Sequence, residues 1–295
     1  FATSVGDERL EVLIPDRTHA DSPPDHHGGI PILWPFPNRV AGARYRWAGN
    51  EYAMTPNERG TRNHIHGLVR DLPWKVDAQT ASTDGAVLRA SIELADFPEA
   101  FRQYPFPARL TVDFELRDGE LEHRATVTNL GEAPLPTGYG THPWFPSHLR
   151  GPSSETSVRI EAERAWTLDR LVATGETVPV TGRLDFRGGR PLGTDSYDDV
   201  VTKIKPRHDG WSEAVISYPS DRLEIVLEAS SAYREWVVYH PAGGEVLCVE
   251  PYSCTTNAIN LVSAGIDAGL SVVPPGGAWQ GTFRLSARAT TPRQG

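Results

Sequence analysis

The chain has 295 residues, 39% hydrophobic and 23% charged, the balance of a soluble globular protein with room for one large all-β domain or two ordinary ones. A net charge of −9 argues against nucleic acid or an anionic membrane surface as a partner, and no apolar run approaches the roughly 20 residues that cross a bilayer. Residues 1–7 lack a basic stretch followed by an apolar one, so no secretory signal is visible. The only cysteines, Cys248 and Cys254, are expected as buried free thiols, and the expected location is the cytoplasm.

In chain order, a first strand is predicted over 10–14 and a long loop over 23–29. A strand over 87–94 follows, then one or two helical turns over 97–103. In 110–116 (Leu-Thr-Val-Asp-Phe-Glu-Leu) apolar and polar side chains alternate, and 121–128 reads the same way. That period of two marks antiparallel strands with one buried face. Arg117-Asp118-Gly119 and Asn129-Leu130-Gly131 supply turns between such runs. After a loop over 187–196 come strands at 214–218, 223–228 and 235–240, the turn Pro241 to Gly244, and strands at 245–250 and 281–287. Thr255-Thr256-Asn257 is expected to cap a short helix reaching 262. Without alternating helices, internal repeats or a linker, the pattern predicts an all-β protein: one large antiparallel β-sandwich over 1–295 with few short helices.

Several polar residues stand out against this background. On a strand His64 and His66 would share a face and could meet one metal, but no glutamate follows and Arg70 would oppose a cation. Substrate binding by one of the pair is favoured, with a structural loop histidine as the other reading. Gly67 implies a turn or a close backbone approach. His142 precedes Pro143, which biases it to an extended, presented conformation beside Trp144 and Phe145. Those rings suit stacking on a sugar, or simply an aromatic core around a hydrogen-bonded histidine. Glu250 ends the apolar run 246–249 on the face of Val246 and Cys248, where desolvation raises a carboxylate towards the range of a general base. The plainer reading is a buried carboxylate paired with Arg234 or another cation. Asn38-Arg39 places a guanidinium among rings and prolines, and Tyr197-Asp198-Asp199 adds a carboxylate.

Taken in order, these pieces resemble the aldose 1-epimerase (galactose mutarotase) family. Asn38-Arg39-Val40 is similar to its Asn-Arg-Ile, Asn63 to Gly67 to its Asn-x-x-His-Gly, and His142-Pro143-Trp144-Phe145 to its His-Pro-Tyr-Phe. The resemblance implies a β-supersandwich with the sugar in a concave cleft and no cofactor or metal. It implies Glu250 as base, His142 as general acid, and Arg39, His66, Asp198 (or Asp199), Asn38 and Trp144 around the substrate. The activity implied is interconversion of α and β anomers: a base takes the anomeric proton, an acid protonates the ring oxygen, and the open aldehyde closes from its other face. Trp144 departs from the family's tyrosine. Residues 66–70 are similar to the branch acting on hexose 6-phosphates, and Arg39, Arg44, Arg62 and Arg70 are available to an anion, whereas the acidic net charge favours a neutral aldose. A non-catalytic carbohydrate-binding protein is the alternative from another class. A glycoside hydrolase would need a second well-placed carboxylate. The expected partner is a small-molecule sugar, with the chain a monomer or weak homodimer.

Overall fold

Alternation becomes architecture first in the hairpin of strands Ala108–Arg117 and Glu120–Asn129. Leu110 faces Val127 and Val112 faces Ala125, all buried, while the intervening side chains turn outward. Asp118 and Gly119 link them, both in the left-handed region (φ 51° and 76°), as a tight two-residue hairpin loop requires. The computed structural model describes residues 1–5, 8–15 and 28–290.

That hairpin sits inside a nine-stranded antiparallel sheet. Its order is Arg190–Pro191, Ser157–Ile160, Ser212–Tyr218, Leu223–Ala229, Ala278–Ala289, Glu120–Asn129, Ala108–Arg117, Gly85–Glu93 and Lys75–Ser82. A second sheet runs Val172–Pro179, Ala162–Asp169, Tyr197–Ile204, Glu235–His240, Val246–Tyr252, Gly140–Thr141 and Ile32–Leu33, with Trp144–Pro146 also paired to Val246–Tyr252. Leu110, Val127, Leu227 and Phe283 of the first sheet share one apolar core with Val201, Trp236, Val238 and Val249 of the second. The Trp236 indole donates to Ser212 Oγ across that interface at 3.2 Å. The far face of the second sheet carries its own cluster, including Trp166, Val200, Val237 and Tyr252, packed under the helix Ala258–Ser263. This sheet is therefore covered on both faces, and the covering leaves a recess that holds the site described below.

Strands at 85–93, 108–117, 120–129, 212–218, 223–229, 235–240, 246–252 and 278–289 fall where the alternation predicts them, and helix Pro98–Gln103 matches the expected turns. Other expectations need correction. The strand expected at 10–14 is Glu8–Glu11, because the N–H groups of Val12 and Leu13 turn back to the Phe1 carbonyl, and an earlier strand, Ala2–Val5, pairs with it. The expected loop at 187–196 contains the short strand Arg190–Pro191. Asn257 precedes helix Ala258–Ser263 but does not cap it: at φ 61° its side-chain oxygen accepts the Ala41 N–H instead. The expected loop at 23–29 lies outside the described residues except for 28–29. Both cysteines are buried free thiols, and among the described residues no helix is long and apolar enough to cross a membrane.

Candidate active site

Strand pairing assembles one wall. Asp198, Tyr239, Cys248 and Trp144 are successive cross-strand partners, so four strands present them in a row on one face. Glu250, two residues beyond Cys248 and opposite Val237, projects from the same face. The alternation also separates the two adjacent aspartates. Asp198 faces the pocket, whereas Asp199 is held outside it by two hydrogen bonds from Arg183, at 2.6 and 2.8 Å.

The opposite wall comes from the chain after Ile32–Leu33. Arg39–Val40 pairs with His64–Ile65, and the His66 N–H donates to the Asn38 carbonyl at 2.9 Å. His66 itself is left-handed (φ 67°), which turns its ring away from the side of His64. Gly67 (φ 70°) lies against Trp34 so closely that a Cβ would run into the Trp34 carbonyl oxygen, so only glycine fits. His64 is structural: its Nδ1 lies 2.7 Å from the Thr55 carbonyl and its Nε2 2.9 Å from the Gly67 carbonyl, clasping this turn. The two histidines therefore do not converge on a metal.

Between the walls lies a pocket of about 270 Å³ lined by Asn38, Arg39, His66, His142, Trp144, Asp198 and Glu250, together with Arg70 and Tyr239. His142 stacks on Trp144 with ring centres 4.8 Å apart, and meets the His66 ring edge-on at 5.2 Å. Its Nε2 is 3.4 Å from Glu250 Oε1. The other carboxylate oxygen, Oε2, accepts a hydrogen bond from the Tyr252 hydroxyl at 2.6 Å. Glu250 does not pair with Arg234, which binds Asp267 through both guanidinium nitrogens.

Burial sets the protonation of this cluster. It drives the Glu250 carboxyl well above the usual carboxylate range; the Tyr252 hydrogen bond and Arg39 oppose the rise, and Asp198 adds to it. Burial also raises Asp198, against the pull of Arg39. His66 is pushed well below the ordinary imidazole range by burial and then by His142, Arg70 and Arg39, so its ring is neutral near pH 7. Arg39 is fixed from three sides: its Nε donates to Glu58 Oε1 at 2.6 Å, one terminal nitrogen to Asn38 Oδ1 at 3.1 Å and the other to Asp198 Oδ2 at 3.4 Å. Burial pushes Glu58 up, but hydrogen bonds from Thr61, Arg39 and Asn63 outweigh it and leave it below the usual range, hence ionised.

Three contributors escape the reading of the sequence. Glu58 orients Arg39 from a polar, exposed turn with no local signal. Tyr252 continues the two-residue period of Cys248 and Glu250 past Pro251, a signal that was available. Tyr239 completes the aromatic wall, 6.1 Å from Trp144. Among the described residues, one cluster has metal-ligating atoms within 4.8 Å of one another: His142, Cys248 and Glu250. These include the two groups suited to proton transfer.

A relative in Escherichia coli K12, the uncharacterized protein YihR, is 28% identical over 239 residues, covering 80% of this chain and 72% of the relative. The crystal structure of a galactose mutarotase-like protein from Clostridium acetobutylicum superposes with a TM-score of 0.82 at 23% identity, over 95% of this chain and 86% of that one. That of galactose 1-epimerase from Lactobacillus acidophilus gives 0.73 at 13% identity, over 95% and 86%. These likenesses show the fold. The sequence signature described as aldose 1-epimerase matches residues 6–286, nearly the whole chain, and the protein belongs to that family.

Proposed function

We propose that this protein is an isomerase that interconverts the α and β anomers of a hexose by acid–base opening and closing of the ring. The observation that carries the proposal is the pairing of His142 and Glu250, 3.4 Å apart, in a pocket whose Arg39 is held by Glu58, Asn38 and Asp198. Ring opening moves two protons. Glu250 Oε1 takes the proton of the anomeric hydroxyl, the bond between the anomeric carbon and the ring oxygen breaks, and the ring oxygen takes a proton from His142. The new carbonyl rotates, and closure on its other face returns both protons along the same route.

Burial raises the Glu250 carboxyl, and a carboxylate of raised pKa is a stronger base than an ordinary one. Tyr252 holds Oε2 and leaves Oε1 to act. Arg39 and Asp198 offer a donor and an acceptor to adjacent hydroxyls, and neutral His66 has one ring N–H and one lone pair for another. A positioned acid or base contributes about 10²–10⁴-fold. Polarimetry of freshly dissolved α-glucose and α-galactose tests the reading: catalysed approach to the equilibrium rotation is expected at micromolar protein. Saturable sugar binding with no acceleration over buffer would instead identify a carbohydrate-binding protein.

A further inference from the structure

Sheet register gathers one thiol beside the proton-transfer pair. Cys248 and Glu250 lie two residues apart on Val246–Tyr252 and share a face. Trp144 is the cross-strand partner of Cys248, and the His142 ring stacks on its indole. A nitrogen, a sulfur and an oxygen donor, all on buried residues, are thereby brought together with no two ligating atoms more than 4.8 Å apart. The other buried histidines show what this grouping adds. His64 has both nitrogens against carbonyls, and His123 meets the Tyr139 hydroxyl at 2.7 Å; among the described residues neither joins such a group.

Imidazole, thiolate and carboxylate together are a zinc donor set; magnesium and calcium take oxygen ligands and leave thiolates alone. With bonds of about 2.0–2.3 Å, the ligands of a tetrahedral zinc ion stand about 3.3–3.8 Å apart. The 3.4 Å between His142 Nε2 and Glu250 Oε1 already has that value. The widest pair, at 4.8 Å or less, has to close by at most about 1.5 Å, which side-chain torsions supply. Tyr252 holds Glu250 Oε2 and so orients the ligating carboxylate from behind. His142 and Glu250 both line the pocket, which gives the ion an entry and leaves its fourth position to water. The thiolate and carboxylate cancel the charge of the ion, and the charge of Arg39 is offset by Glu58 and Asp198. Arg70, lining the same pocket, opposes a cation, so three ligands here suit a reversibly bound ion rather than a resident one.

We propose that His142, Cys248 and Glu250 form an inhibitory zinc site, in which one Zn²⁺ silences the protein reversibly. The silencing rests on reading His142 and Glu250 as the acid and the base. On binding, Sγ loses its proton to solvent and forms a bond to zinc, while Nε2 and Oε1 donate lone pairs to the same ion. The imidazole then has no proton to give the ring oxygen, and the carboxylate oxygen can no longer take one from the anomeric hydroxyl. Cys248 thus has a part in the pocket that proton transfer itself does not require.

The test titrates untagged, metal-free protein with Zn²⁺ by calorimetry and follows glucose anomerisation by NMR exchange with and without zinc, with Mg²⁺ as control. One zinc per chain is expected to bind, and saturation should lower turnover by about 10²-fold or more, the contribution of a positioned acid or base. Chelator should restore turnover, and Mg²⁺ should change nothing. Cys248→Ala, judged against its own zinc-free turnover, should need more than about 100-fold more zinc for the same inhibition, since losing even an outer-shell partner costs 10–100-fold in metal affinity. No binding at submillimolar zinc, or binding and inhibition unchanged in Cys248→Ala, would overturn the proposal and leave the epimerase reading intact. So would bound zinc that leaves turnover unaffected or raises it. Should Cys248→Ala fail to fold, Cys248→Ser takes its place, and Co²⁺ replaces zinc on the wild type: a thiolate-to-cobalt charge-transfer band supports the site and its absence refutes it. Should no sugar be turned over even without metal, the epimerase reading fails and calorimetry alone decides: zinc binding lost in Cys248→Ala supports the site, and binding retained refutes it.

Discussion

Glu235 and Glu250 occupy adjacent strands of the same sheet and project from the same face, one cross-strand pair apart. Both are 1% exposed, and burial raises the pKa of both. They differ in what lies in front of them. Glu235 is closed in: the Trp166 indole donates to its Oε2 at 3.1 Å, and burial pushes its pKa up to about 8, so the group is largely a neutral acid at pH 7. Glu250 instead faces a cavity, with Tyr252 behind it and His142 before it. Burial alone therefore does not make a general base. A cavity in front of the carboxylate and an imidazole within 3.4 Å distinguish Glu250 as the candidate.

The largest expected effect separates them directly. Glu250→Gln keeps the volume but cannot accept a proton, so kcat should fall by about 10²–10⁴-fold. Glu235→Gln should retain turnover to within about threefold, on the same estimate for a group that moves no proton in the reaction. Polarimetry on both variants, with circular dichroism to check the fold, makes the comparison. If Glu250→Gln kept more than a tenth of wild-type turnover, the contrast between the two glutamates would lose its catalytic meaning.

The second pair to compare is Asp198 and Asp199. Asp198 faces the pocket and touches Arg39, while Asp199 is taken by Arg183. Asp198→Asn should raise KM by roughly 10-fold or more, since an interaction with a charged group is lost and Arg39 is left less well held. Asp199→Asn should change KM by about twofold at most, because it breaks a partly exposed ion pair of small worth. Equal losses in the two variants would mean that the pocket extends to the other face of that strand.

Legibility followed the same division. Strands with one buried and one exposed face, such as Ala108–Arg117, announce themselves by alternation. Tyr197–Ile204 and Ala162–Asp169, in a sheet covered on both faces, do not, whereas Glu235–His240 and Val246–Tyr252 of that same sheet are marked by their apolar runs. The sequence left Asp198 and Asp199 open because a one-residue choice of face is settled by register. His64 and His66 looked like partners on one strand face, but the left-handed backbone at His66 breaks the alternation and leaves His64 clasping two carbonyls. The order of His66, His142, Asp198 and Glu250 could be read, since each sits in a locally unusual context. Glu58 could not, because its meaning depends on a guanidinium 19 residues away.

Tyr252 sharpens the comparison through pH. Its hydroxyl donates to Glu250 and opposes the rise that burial causes. Without that donor the carboxylate is less stabilised and its pKa climbs further, so Tyr252→Phe should move the acid limb of the kcat/KM profile upward by about one pH unit, the scale of one hydrogen bond to a charged group. The loss should be several-fold at pH 6 and should diminish on the alkaline side. An acid limb that stays put, or moves to lower pH, would show that Glu250 does not govern it.

The smallest effect is on stability and belongs to Glu235. Its folded pKa of about 8 lies above the ordinary carboxyl value of 4.5, so the folded protein holds a proton that the unfolded chain releases. A raised pKa stabilises fully below the unfolded value, and that stabilisation is lost progressively as pH rises from there through the folded value. Glu235→Gln carries no such proton and keeps its hydrogen-bonding capacity towards Trp166. The Tm of the variant should therefore gain on wild type between about pH 4.5 and 8 and then hold a constant lead; each 1 kcal/mol corresponds to roughly 2–4 °C in a protein somewhat smaller than this one. Glu250→Gln should show a lead of the same sign, together with its loss of turnover. Differential scanning calorimetry across that range checks both. A lead that appears below pH 4.5, or shrinks as pH rises, would show that Glu235 is ionised in the folded protein and would remove the basis for treating the two glutamates as a matched pair.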